Sequence, residues 1–137
     1  MREILFRGKD AIDGKWIYGD VIHRHRYNDY VGIDRYVGGQ FGYAIAKVKN
    51  ESVSQYTGLT DKNGTRIFEG DVLSGHLDDL FTKDESRYEV VWYDYGWHIK
   101  SGNGFFDTME QNWVNMLLEV IGNIYDNPEL LEVEEHE

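Results

Sequence analysis

Apolar residues fall along this chain in short runs broken by Gly, Asp and Asn, a spacing that predicts strands joined by tight turns and few helices. Ile4 and Phe6 alternate with charged neighbours, which suits a half-buried first strand. Asp13 and Gly14 mark a turn. Trp16, Ile17, Tyr18, Val21 and Ile22 then read as a second strand, with a bend expected at Gly19. In the stretch 55–73, QYTGLTDKNGTRIFEGDVL, the turn residues Asp61, Lys62, Asn63 and Gly64 separate Tyr56 from Ile67, Phe68, Val72 and Leu73, so this stretch reads as a hairpin. Tyr43–Val48 has strand composition. Residues 88–100 read as a further hairpin around Asp94, Tyr95 and Gly96, with Val90, Val91, Trp92, Trp97 and Ile99 assigned to the core. Tyr27–Tyr36 has no clean period and reads as a loop or irregular hairpin, and Asp78–Glu85 as a charged connection.

Two helices break this pattern. Met109, Trp113, Met116 and Leu117 recur at helical spacing, and Thr108 and Gln111 are spaced as a capping box, which predicts a short helix over about 108–118. Val120–Tyr125 then reads as a closing strand. Asn127 and Pro128 suit the N-cap and first residue of a short C-terminal helix through Leu131, with 132–137 frayed. The expected fold is mainly β: small antiparallel, barrel-like sheets with these two short helices.

DGKWIYGDVI at 13–22 is similar to NGTRIFEGDVL at 63–73, the second copy carrying one extra residue, Glu69. Two copies about fifty residues apart do not make a solenoid. They read either as two related β-subdomains or as coincidence in a Gly-rich, aromatic-rich β chain. The chain is therefore taken as one domain over 1–137, with a subdivision at about 50–55. In both copies, Gly19 with Asp20 and Gly70 with Asp71, the glycine permits a sharp turn and the aspartate can accept from nearby amides. Asn63 and Gly64 have the same structural role in the intervening turn.

Composition narrows the class. Aromatic residues make up 15% of the 137, with fifteen Gly and one Pro, which favours all-β architecture. Cysteine is absent, so disulfides, a thiol nucleophile and a cysteine-based zinc site are excluded. A reducing cytoplasm is the expected compartment. No run approaches the roughly 20 apolar residues of a membrane span, and residues 1–10 lack the apolar core of a signal peptide, so no membrane role is expected. The formal net charge is −11. Residues 1–100 hold sixteen acids against fourteen bases, and residues 101–137 hold nine acids and no base. This acidic end disfavours duplex nucleic acid and suits a basic partner surface or simple solubility.

Chemistry is harder to find. His23 and His25 would share a face of a strand, but no third metal ligand is set by spacing, so no metal or cofactor is expected. His23, Arg24, His25, Arg26, Tyr27, Tyr30, Arg35 and Tyr36 form the one candidate binding segment, mixing bases with stacking aromatics as single-strand nucleic-acid binders do. Asp20 and Asp71 read as turn residues rather than an acid–base pair. His98 reads as a strand histidine satisfied by a neighbour, and the Gly-x-Gly at 102–104 as a turn. No phosphate-binding loop, nucleophile elbow or zinc-protease motif is present.

Four blocks nevertheless carry a resemblance: MREILFRG at the start, DGKWIYGD, QYTGLTDKNGTRIFEGDVL, and EVIGNIYDNPELL at 119–131. Through them the chain resembles, end to end, the YopX-like family of phage and prophage proteins. The resemblance implies a small, mainly β protein and no catalytic residue. The regions between the blocks, 24–49 and 75–87, are then the natural places for partner specificity. The expected function is that of a non-enzymatic accessory protein that binds an unknown host or phage protein, as a homo-oligomer. Single-stranded nucleic-acid binding through His23–Tyr36 is the alternative, with an enzyme or a DNA mimic ranked below it.

Overall fold

Antiparallel strands dominate the computed structural model, which describes residues 2–23, 31–36, 43–75, 86–101 and 106–132. The chain divides into two compact units, Met1–Tyr56 and Thr57–Glu137. Strands β1 (Phe6–Lys9), β2 (Trp16–His23), β3 (Val31–Tyr36) and β4 (Tyr43–Val48) belong to the first, and β5 (Ser54–Thr60) starts there. The second holds β6 (Arg66–Phe68), β7 (Asp71–Gly75), β8 (Ser86–Tyr93), β9 (Gly96–Lys100), β10 (Phe106–Thr108), the helix α1 (Gln111–Leu117) and β11 (Leu118–Asn123).

In the first unit the strands lie in the order β4-β3-β2-β1-β5. The β1–β2 turn is built by aspartates. Asp10 accepts from the amides of Ile12 and Asp13, and Asp13 accepts from that of Lys15 at 2.9 Å, as expected of Asx turns. β2 does not break at Gly19. It changes partner there, pairing with β1 through Trp16–Gly19 and with β3 through Asp20–His23. Residues 31–36, expected as loop or irregular hairpin, form β3, because pairing with β2 on one side and β4 on the other satisfies its backbone whatever its side-chain period. A single bridge joins Asp10 to Val48, flanked by amide bonds from Ala11 to Lys47 and from Lys49 to Lys9. The sheet thus curls toward a barrel without closing.

Ile17 and Val48 are the buried centre of this unit, backed by Phe6, Val21, Ala46 and Val53. Gly8 lies against Val48, where an added Cβ would meet that side chain at 3.0 Å. Close backbone approach explains the glycine. Beneath it, the buried Ser52 hydroxyl accepts from the Lys9 amide and donates to the Lys49 carbonyl, tying the 3-10 turn at Asn50–Ser52 to β1.

The second unit has a larger core. Ile67, Leu73, Tyr88, Val90, Ile99, Val114 and Leu118 are buried together, with Leu59, Trp97, Met109, Leu117 and Val120 packed around them. At about 1.5–3 kcal/mol for each large apolar side chain fully buried, this cluster dominates the unit's stability. Its sheet runs β10-β9-β8-β7-β11. The hairpin read from residues 55–73 is present, but its second arm divides. β6 stays beside β5, the chain turns at Glu69 and Gly70, and β7 joins β8 and β11 instead.

Helix α1 is shorter than its predicted span and its capping box does not form. Thr108 lies in β10, paired with His98, and Glu110 takes the N-cap position without a side-chain bond. The buried face is set by Val114 and Leu118, while Met116 is exposed. After β11 the C-terminal helix is a 3-10 turn, Pro128–Leu131. Asn127 stands at its N-cap and Pro128 opens it, as expected, but the Asn127 side chain makes no capping bond and accepts instead from the Asn123 amide at 3.4 Å. Neither sheet closes into a barrel among the described residues.

Candidate functional site

Few of the residues singled out in the sequence meet in one place. His23 ends β2, opposite Val31, and Arg35 and Tyr36 lie on β3, opposite Ala44 and Tyr43. Arg24, His25, Arg26, Tyr27 and Tyr30 lie outside the described residues. Gly19 and Asp20 are ordinary positions within β2, and Asp20 is exposed. The other turn residues are in the second unit, where they organise the backbone.

Asp61 is the centre of that organisation, and it is only 2% exposed. One carboxylate oxygen accepts from the amides of Asn63 and Thr65 at 2.9 and 2.8 Å, and the other from that of Val120 at 2.9 Å. One side chain therefore shapes the 61–65 turn and fastens β11 to it. Asn63 adds a bond from its side-chain amide to Glu119. Asp71, 1% exposed, accepts from the Phe68 amide at 2.8 Å and so stabilises the break between β6 and β7. Asn123 does similar work at the other end, accepting from the amides of Tyr125 and Asp126. Asp61, Asp71 and Asn123 are thus buried polar groups whose oxygens are taken up by backbone amides.

The exposed chemistry lies at the β8–β9 hairpin. Trp92 pairs with Trp97 and Tyr93 with Gly96, leaving a two-residue turn, Asp94 and Tyr95. Both turn residues have positive φ, 48° and 62°, as a hairpin turn of this length demands. Tyrosine is a poor choice for that backbone, at a cost of about 1–2 kcal/mol. The turn projects Tyr95 93% exposed, with Tyr93 at 60% and Trp92 at 53%.

Trp92 corrects an expectation. It continues the face of Val90 and Ile99, which are fully buried, yet it lies beyond the edge of the core and stays open. Trp97 holds it edge-to-face at 4.9 Å between ring centroids and itself packs partly on the core. On the opposite face Tyr93 meets His98 at 5.8 Å, and His98 Nδ1 lies 3.0 Å from the Gly96 carbonyl, the neighbour expected to satisfy it. The result is an exposed aromatic tip with a carboxylate at its apex. The signal for it was legible as VWYDYGWH, a hairpin turn with Asp-Tyr where Asn-Gly is usual.

A second aromatic contact lies on the first unit. The buried Arg7 guanidinium carbon is 4.3 Å from the centroid of the Trp16 ring, and the Lys9 ammonium is 5.7 Å away. This cation–π stack clasps β1 to β2 on the face away from Val48. Among the described residues no group of three His, Asp or Glu is placed to hold a metal ion, and no helix is long and apolar enough to cross a membrane.

Comparison with known proteins agrees with this architecture. The chain is similar in structure to protein EF1440 from Enterococcus faecalis, known from a crystal structure, with a TM-score of 0.59 and 24% identity over 96% of this chain and all of that one. That likeness concerns the fold alone. No curated protein matches the sequence. The family model described as YopX protein matches residues 5–132, nearly the whole length, and the chain therefore belongs to the YopX family.

Proposed function

We propose that this chain is a non-enzymatic accessory protein of a phage or prophage that acts by binding another protein. The observation that supports this most is the hairpin tip at Trp92, Tyr93 and Tyr95. Large aromatic side chains open to solvent give contact area with few rotatable bonds to fix, and such residues carry most of the binding energy at protein interfaces. A strained turn that keeps a tyrosine at its apex points the same way.

A photo-reactive phenylalanine at position 95 tests this directly in lysate of a bacterial host. Ile12, 96% exposed at the β1–β2 turn, is the control position. One discrete adduct from position 95 and none from position 12 is the expected result. No adduct from 95, or the same adducts from both, would sink the reading.

Self-association is part of the proposal and has its own support. Residues 1–56 hold nine bases and seven acids, a net of +2, whereas residues 57–137 hold five bases and eighteen acids, a net of −13. The unit boundary is a charge boundary. Unlike charge on two units favours contact between unlike units of different copies. Light scattering should show a multimer at low salt that dissociates as salt is raised; a monomer throughout would remove this part.

A further inference from the structure

The charge split also bears on what the aromatic tip would hold. We propose that the β8–β9 tip binds a cationic peptide segment of its partner, one that presents arginine side chains to Trp92 and Tyr95 beside the Asp94 carboxylate. The inference rests on the protein-binding reading and adds the chemistry of the partner.

Three observations carry it. Trp92 and Tyr95 are open to solvent, and aromatic ring faces attract cations, tryptophan most strongly. Asp94, exposed in the same two-residue turn as Tyr95, adds a carboxylate with which an arginine held at the tip can pair. The unit that carries the tip has a net charge of −13, so its field draws basic segments and repels acidic ones. Within the hairpin the two bases, Arg87 and Lys100, both lie at the end away from the tip, Arg87 opposite Ser74 and Lys100 opposite Glu89. Arginine fits better than lysine because its planar guanidinium can stack on a ring and still bond a carboxylate at its edge.

The tip can be altered without unfolding the protein. Tyr95→Asn puts a residue suited to left-handed backbone at the apex, and Trp92→Ala acts on a side chain half in solvent. The probe is a fluorescein-labelled peptide of alternating arginine and glycine, with matched lysine and citrulline versions, read by anisotropy near physiological salt.

The arginine peptide should bind most tightly and the uncharged citrulline peptide at least tenfold more weakly. Trp92→Ala and Tyr95→Asn should each weaken the arginine peptide severalfold, and together more than tenfold, with the thermal transition retained. Asp94→Asn should weaken it and flatten its salt dependence. Equal binding of arginine and citrulline peptides, no binding at all, or binding that survives the double substitution would overturn the proposal. A discrete cross-link at position 95 together with any of those results would leave the protein-binding reading standing and remove only the cationic partner.

Discussion

The two Gly-Asp-Val stretches are nearly the same in letters and opposite in use. At Gly19-Asp20-Val21 the strand continues unbroken, changing its partner, and Asp20 stays in solvent. At Gly70-Asp71-Val72 the strand breaks, Gly70 takes φ 84°, and Asp71 is buried against the Phe68 amide. The extra residue, Glu69, marks the difference. It supplies the slack for a turn that sends β7 into another sheet, and the turn is then held by bonds from the Gly70 amide to Val90 and from Ile124 to the Gly70 carbonyl. A motif match therefore located turn-capable residues without showing that they turn. What decides is whether neighbouring strands are there to take the freed backbone groups.

Substitutions at matched positions sharpen this contrast. Asp61→Ala and Asp71→Ala should be the most damaging, each destabilising by about 2–4 kcal/mol, because buried amides lose their acceptor. Denaturant unfolding measures it. Asp20→Ala, at the exposed match of Asp71, and Asp13→Ala, in the exposed β1–β2 turn, should fall within about 0.5 kcal/mol of wild type. Similar losses at all four sites would break the comparison.

Gly70→Ala comes next. It combines a left-handed backbone with a Cβ 2.9 Å from the Tyr125 ring, so a loss of about 2 kcal/mol is expected, against less than about 1 kcal/mol for Gly19→Ala. A smaller effect should follow from Gly8→Ala, about 1 kcal/mol through the Val48 contact. Val48→Ala in the same chain should make that second loss disappear, and strict additivity of the two would rule out the contact as the cause. The smallest change should have the opposite sign. Tyr95→Asn relieves backbone strain at an exposed turn and should stabilise by about 0.5–1 kcal/mol, read as a rise in melting temperature.

Much of the local structure was determined by the sequence alone. The β class, the Asp13-Gly14, Asp61-Gly64 and Asp94-Gly96 turns and the strand at 43–48 follow from alternation and turn chemistry, which act over a few residues and leave their mark in order along the chain. The family was legible too, through blocks that are largely turns and the strands beside them, of which the central one, 55–73, carries the buried strands. Tertiary structure decided the rest. Only pairing with β2 and β4 made a strand of residues 31–36, and only the arrival of β11 gave Asp61 its third amide. Whether Trp92 belonged to core or surface depended on where the cluster around Val90 and Ile99 ends, a boundary set by elements distant in sequence. Side-chain period tells which face of a strand a residue occupies, but burial depends on what another part of the chain places over that face.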